Sequence, residues 1–437
     1  MKSVSEHESR RSIFFSLGLF QFLTFVRRGI FYTFMINYLF ILMRAVTSTA
    51  MLGTLDMIAS ALGQNLLWGK ISDRYKLRTK LILIGESIAG FAYLGVFFLH
   101  RSLIDSGNSF AAGLAIIFGL SLLEFFWSMS DVGWATLLTD VTTLQTRGTV
   151  VGTLNFIASL GRMFGIISAG FLYSDGNGFQ QGTLFYIVTA MLFTGAAIMW
   201  LTSRSAKKTA SVDDMQLRGG KRDAEAESAL VHKNKSVYRW FLISLIIIIL
   251  GASCINQVFL LFIKLTEGLH ASDPEMSLIL TAWTVGGMVA SLLSGRLADK
   301  FGRARVILFG LIWAVLTPIL YGLPHSVLVM ALVYGLNGIS FWTIQTVGFA
   351  LVGDLTPMGR RGRLLSRYNT VIMLGWGPAG LLIGGPLADF QTTTLGFSAQ
   401  TAYINCFLVS SLIVGFGTVF YFLKVMRKIE QSSEVHD

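Results

Sequence analysis

Charge is scarce in this chain of 437 residues: Asp, Glu, Lys and Arg together make up 14% of it, against roughly 25% in ordinary soluble domains. That shortage excludes the polar shell a soluble core of this size would need. Only two cysteines occur, Cys254 and Cys406, both inside apolar stretches, so no disulfide framework is implied. The six histidines, His7, His100, His232, His270, His325 and His436, read as falling in termini or connectors, which leaves no intramembrane pair to hold haem. No H-E-x-x-H zinc motif and no G-x-x-x-x-G-K-[ST] nucleotide loop is present, which argues against a zinc hydrolase and against direct use of ATP. No cofactor or metal is expected. The net charge of +11 would fit a nucleic-acid binder only if the bases clustered on one folded face. Here they sit between apolar runs, so no nucleic-acid partner is expected.

What is there is apolar length: 53% of the residues are hydrophobic, in runs near the ~20 residues needed to cross a bilayer. The runs predict helices near 13–41, 48–68, 81–99, 111–138, 149–173, 183–202, 238–263, 276–294, 304–322, 327–352, 363–388 and 400–423. The N-terminal run contains Arg27 and Arg28 and has no small-x-small cleavage site, so it reads as a first membrane helix, not a signal peptide. One long polar segment, 203–237, is mixed in charge and poor in aromatics, the composition of a flexible linker. The expected organisation is therefore an N-terminal tail (1–12), a six-helix bundle (13–202), the linker (203–237), a second six-helix bundle (238–423) and a C-terminal tail (424–437). The fold class is all-α integral membrane.

Lys and Arg set the orientation, because short basic loops stay cytoplasmic. Of the 35 basic residues, three lie inside helices (Arg27, Arg28, Arg162) and three in alternate connectors (Arg44, Arg101, Lys264). The rest fall on one side. Both termini and the linker are therefore expected to be cytoplasmic, in a multi-pass protein of the cell (inner) membrane.

Two cytoplasmic loops share a pattern: Gly69-Lys-Ile-Ser-Asp73-Arg74-Tyr-Lys76-Leu-Arg78, and Gly295-Arg-Leu-Ala-Asp299-Lys300-Phe-Gly302-Arg303-Ala-Arg305. A second repeat needs no gap: Asp140, Arg147, Gly148, Asn155, Gly161, Gly170 and Asp175 recur as Asp354, Arg361, Gly362, Asn369, Gly375, Gly384 and Asp389. Parallel repeats of this kind mark transporters whose halves are related by an axis along the membrane normal. The sequence resembles the major facilitator superfamily, whose signature between helices 2 and 3 reads G-x-L-A-D-R-x-G-R-[KR]. Gly295 to Arg305 is nearly a consensus copy. Gly69 to Arg78 departs from it, with Lys76 at the second glycine and Leu77 at the first arginine. The resemblance implies twelve helices in two pseudo-symmetric six-helix bundles and alternating access around a midplane cavity. It makes Gly69, Asp73, Arg74, Arg78, Gly295, Asp299, Lys300, Gly302 and Arg303 candidates for a cytoplasmic gate, where aspartates meet bases or helix N-termini.

Ionisable groups at membrane depth cost several kcal/mol and mark functional sites. They are lopsided here: Arg27 and Arg28 in helix 1, Asp56 in helix 2, Glu124 and Asp131 in helix 4 and Arg162 in helix 5 all lie in the first half. Glu124, Ser128 and Asp131 share one helix face, as do Asn155 and Arg162. Three cations and three anions would form a network near neutrality that a proton or a charged substrate group would disturb. Neighbours on a helix diverge by about 100°, so one of Arg27 and Arg28 is expected to face the cavity. Helix 4 of many related drug exporters carries R-x-x-Q-G, and Glu124-Phe-Phe-Trp127-Ser128 occupies that register with the charge reversed. Gly152, Gly161, Gly165 and Gly170 resemble the exporters' glycine-rich antiporter motif, with Ile166 at its proline and Ala169 at the first glycine of the final pair. The second half offers Asn256, Gln257, Trp283, Asn337, Trp342, Gln345, Asn369 and Trp376, neutral groups suited to amide hydrogen bonding and stacking.

The expectation is a secondary transporter of a small organic solute, not an enzyme, acting as a monomer and driven by protons or a counter-solute. The arginines lean the substrate towards an anion, which is the reading slightly favoured here, with uptake and efflux both open. The acidic residues and the glycine motif lean towards efflux of a drug-like or cationic compound. A receptor or scaffold that kept the fold without turnover is the reading from another class, and the intact second gating loop argues against it.

Overall fold

In lipid every backbone N–H and C=O must be satisfied internally, so apolar runs of this length form helices. The computed structural model describes residues 2–75, 77–142, 147–209, 224–355 and 361–433, and no strand occurs among them. The chain runs through α1 (Lys2–Tyr32), α2 (Met35–Met43), α3 (Val46–Leu62), α4 (Gly69–Tyr75), α5 (Arg78–Asp105), α6 (Ser109–Val141), α7 (Arg147–Leu172), α8 (Asn177–Gln180) and α9 (Thr183–Thr209). It continues with α10 (Ala224–Ser253), α11 (Asn256–Phe262), α12 (Asp273–Phe301), α13 (Arg303–Leu320), α14 (Val327–Leu355), α15 (Arg361–Trp376), α16 (Gly385–Thr393), α17 (Ala399–Tyr421) and α18 (Arg427–Ser433). Among the described residues eleven spans are long and apolar enough to cross a membrane. The twelfth crossing is α3, whose 17 residues continue through a π-helical turn, Gly63–Trp68, into α4. Helices α9 and α10 enter the stretch read as a linker from both sides, leaving 210–223 outside the described residues.

Contacts divide the chain into two compact units: Met1–Arg44 with Leu52–Leu217, and Ala45–Met51 with Arg218–Asp437. Each has its own buried core, one around Leu17, Phe20 and Ile82, the other around Phe241, Leu311 and Val352. Within the first unit α1 packs on α7 and α9, and α5 on α6 and α9; within the second, α10 packs on α15 and α17, and α13 on α14 and α17. The pairing pattern is the same in both. Because lipid tails are as apolar as leucine, close approach at small residues must hold such crossings. Gly161 of α7 lies where a Cβ would stand 2.5 Å from the Phe22 carbonyl of α1, and its repeat partner Gly375 lies 2.7 Å, on the same measure, from Ile249 of α10.

The first membrane helix of each unit is broken, a feature the sequence reading did not anticipate. Phe34 (φ −107°, ψ 1°) separates α1 from α2, and Ile255 (φ −97°, ψ 2°) separates α10 from α11. The chain restarts identically after each break, with Tyr38 N–H donating to Phe34 O at 3.0 Å and Phe259 N–H to Ile255 O at 2.8 Å. In the second unit the Asp389 carboxylate accepts from the backbone N–H groups of Val46 and Thr47 at 2.9 and 2.8 Å, capping the start of α3.

Candidate functional site

Two consecutive arginines on α1 point to different depths, as a helix with 3.6 residues per turn requires. The Arg27 side chain is 4% exposed and pairs with Glu86 of α5, itself 2% exposed, at 4.0 Å. The Arg28 side chain is 35% exposed and pairs with Asp131 of α6 at 3.6 Å. Arg28 is thus the one of the two that reaches accessible surface. A half-exposed ion pair cannot stand against hydrocarbon, so this face of the first unit borders water.

Trp127 of α6 joins the two pairs. The Arg27 and Arg28 guanidiniums lie over its ring at 4.3 and 4.4 Å from the centroid, close enough for cation–π attraction to hold both. Its indole N–H donates to Glu86 Oε1 at 2.7 Å, and Ser130 Oγ donates to the same oxygen at 2.8 Å. Glu86 therefore faces one guanidinium and accepts two neutral donors, the full satisfaction a buried carboxylate needs. Asp56 of α3 accepts from Ser121 Oγ at 2.8 Å, and Glu124 is partly buried one turn before Ser128 on α6. Among the described residues no ion pair joins a cation to Asp56, while Glu124 accepts from Ser60 and lies in the field of Arg28.

Sequence reasoning missed Glu86, which lies inside the run read as helix 81–99 and was not singled out among the charges at depth. The usable signal was that Arg27, once sealed, demands a carboxylate. Counting Glu86 turns three carboxylates against three arginines into four against three. His100 also corrects an expectation: it lies inside α5, fully buried, with Nε2 2.7 Å from the Tyr38 hydroxyl. Arg162 is partly buried on α7, and Asn155, on the same helix, is exposed. In the second unit Gln257 packs on Gly380, Asn256 is partly buried, and Asn369 and Trp376 are exposed, Trp376 beside Phe341 at 6.2 Å between ring centroids.

A profile of the Major Facilitator Superfamily matches residues 17–265 and 241–437. The chain belongs to that superfamily. Its described residues hold eleven helices long and apolar enough to cross a membrane, as a multi-pass member of that superfamily requires. It is 22% identical over 365 residues to a multi-drug resistance efflux pump PmrA homolog of Lactococcus lactis subsp. lactis (strain IL1403), covering 83% of this chain and 82% of that one. It is 26% identical over 186 residues to Multidrug resistance protein 2 of Bacillus subtilis (strain 168), 42% of this chain, and that match spans only 45% of the relative. The fold superposes on a bacterial homolog of the human lysosomal transporter Spinster with TM-score 0.69 and 14% identity, over 97% of this chain and 98% of the other.

The superfamily's loop motif has distinct surroundings in the two units. Arg303 donates to the Ala350 carbonyl at 2.6 Å and pairs with Asp354, tying α13 to the end of α14. Arg78 donates to the Ser72 carbonyl at 2.6 Å. Gly302, at φ +87°, ends α12 in a conformation that favours glycine. Gly295 has open space where a Cβ would stand, Gly69 packs near the Gln64 carbonyl, and Arg74, Asp299 and Lys300 are exposed. The Asp73 side chain lies outside the described residues.

Proposed function

We propose that this transporter exports a cationic or amphipathic organic solute in exchange for protons. One observation carries the reading: Arg27 is matched by Glu86 and Arg28 by Asp131, while Asp56 has a hydroxyl partner, Ser121, and no ion-pair cation among the described residues. Carboxylates without cationic partners at membrane depth take either a proton or a cation, which is the alternation an exchanger needs. The names of the Lactococcus and Bacillus relatives, both drug-resistance proteins, support export. The pairing of Arg27 and Arg28 weakens the argument for an anionic substrate that those two arginines would have made unpaired. An anion remains the second reading, because Arg28 is one-third exposed and an anionic group would displace Asp131 from it.

On this reading the chain works as a monomer in the cell (inner) membrane with both termini cytoplasmic. Arg303 and Asp354, with the corresponding first-half residues, belong to the cytoplasmic gate. Proteoliposomes with an imposed pH gradient test the proposal, using ethidium, tetrabutylammonium and naphthalenesulfonate as probes. Gradient-driven movement of the two cations is expected, reduced at least ~10-fold in Glu124→Gln and Asp56→Asn while gradient-independent exchange survives. Movement of naphthalenesulfonate alone, unaffected by those two substitutions, would establish the anion reading instead.

A further inference from the structure

The register shift that carries Asp140 onto Asp354 and Arg162 onto Trp376 also carries Trp127 onto Phe341, Ser128 onto Trp342 and Asp131 onto Gln345. It matches the structure as well, since it brings the last residue of α6, Val141, onto the last of α14, Leu355. Of the charged positions, Arg162 is matched by the ring of Trp376 and Asp131 by the amide of Gln345, with Trp342 one turn before Gln345 on α14. An arginine or aspartate cannot face hydrocarbon, so in a duplicated bundle the equivalent positions turn away from lipid too. Trp342 and Trp376 are 37% and 36% exposed on that same register face.

These rings form a built array. Ring centroids lie 5.5 Å apart for Trp283 and Phe341, 6.1 Å for Trp283 and Trp342, 5.9 Å for Phe341 and Trp342, and 6.2 Å for Phe341 and Trp376. All fall within the 4.5–7 Å range of interacting aromatic pairs. Trp283 of α12 is fixed by its indole N–H, which donates to Asn337 Oδ1 at 3.1 Å, and Asn337 Nδ2 donates to the buried Thr317 Oγ1 of α13 at 3.1 Å. Trp342 lies over Gly287, where any Cβ would collide with its indole. Three helices and one glycine thus hold two indoles in fixed orientations, more than packing against lipid requires.

We propose that Trp283, Phe341, Trp342 and Trp376 form a stacking subsite for the planar aromatic part of the transported solute. The inference builds on the transport reading above and is independent of the solute's charge. Two offset rings stack with their faces, and a ring bearing positive charge gains cation–π attraction to tryptophan besides.

The test measures KM in proteoliposomes for pairs matched in charge and differing in ring: ethidium against tetrabutylammonium, and naphthalenesulfonate against hexanesulfonate. Trp342→Leu and Trp376→Leu should raise KM for whichever ring-bearing probe is carried by about 3- to 10-fold, leaving its ring-free partner within about twofold. Trp342→Phe should restore most of the loss, and Gly287→Ala, which displaces the Trp342 indole, should reproduce it. Thermal melts in detergent identify variants that fail to fold, and Trp376→Leu, at an exposed position, then carries the test. Equal changes for ring-bearing and ring-free probes, no change for either, or no transport of any ring-bearing probe by the wild type overturns the subsite. Transport of naphthalenesulfonate and not ethidium, with the same selective tryptophan effects, would sink the cation reading and leave the subsite standing.

Discussion

The two units share a skeleton and differ in what they hang on it. Each pairs its first helix with its fifth and sixth, breaks that first helix at a residue with nearly the same φ and ψ, and crosses it at a glycine. At matching positions the first unit carries Trp127, Ser128, Asp131 and Arg162, and the second carries Phe341, Trp342, Gln345 and Trp376. Backbone approach in a bilayer tolerates few alternatives, because small residues must sit where helices touch. Side chains bordering water are free to diverge. Duplication has therefore kept the crossings and divided the chemistry.

The largest effect that would break this contrast lies at Glu86. Removing one partner of a buried ion pair leaves the other charged and unpaired, a cost of roughly 3–5 kcal/mol. Glu86→Ala strands Arg27 and also orphans the Trp127 indole N–H, so loss of folded protein is expected on size-exclusion chromatography. The double variant Arg27→Met, Glu86→Leu should recover part of the monodisperse peak, since it removes the stranded charge while the Trp127 indole N–H and Ser130 hydroxyl stay without Glu86. If the double variant is as damaged as Glu86→Ala, the cluster's work at this depth is something other than charge pairing.

Much of this was legible in the sequence and some was not, for physical reasons. Twelve apolar runs gave the helices, and the repeats at Asp140 and Asp354 gave the register, because length and spacing survive without any tertiary knowledge. The breaks at Phe34 and Ile255 left no trace: neither has a proline or glycine beside it, so the run of apolar residues passes straight through. The stripe of Glu124, Ser128 and Asp131 was legible from helical spacing, but the pairing of Arg28 with Asp131 was not, because it depends on how α1 packs against α6. Nor was Glu86, since its partner lies on a helix distant in sequence and nothing local distinguishes it from an interfacial acid. The second crossing read as one helix, 48–68, and takes a π turn at Gly63–Trp68 where Trp68 Nε1 donates to the Phe125 carbonyl at 2.8 Å.

A middle-sized effect sharpens the comparison from the other side. Gln345 of the second unit occupies the register position of Asp131 and accepts from the Tyr368 hydroxyl at 3.3 Å. No Lys or Arg occurs between Arg239 and Lys264, so the second unit's first helix offers no counterpart to Arg28. Gln345→Glu should therefore destabilise by about 2–3 kcal/mol, read as a lowered melting temperature at neutral pH that recovers on acidification as the carboxyl takes a proton. An unchanged melt would mean that the second unit can host the charge after all, and the division between the halves would be one of habit and not of physics.

The smallest expected effect asks what Arg28 is for. Arg28→Lys keeps a positive charge opposite Asp131 and loses the planar contact with Trp127 at 4.4 Å and the weaker one with Phe25 at 5.6 Å. Lysine is a compact, strongly hydrated point charge, so a loss of about 0.5–1 kcal/mol is expected, visible as a fall in melting temperature of roughly 1–3 °C. If Arg28 serves to neutralise Asp131, KM for tetrabutylammonium should stay within about twofold of wild type, because the charge count at the site is unchanged. If the melt holds and KM for naphthalenesulfonate rises several-fold, the guanidinium fork itself grips the solute. The first unit would then read an anion through Arg28, with Asp131 as the group that the solute displaces.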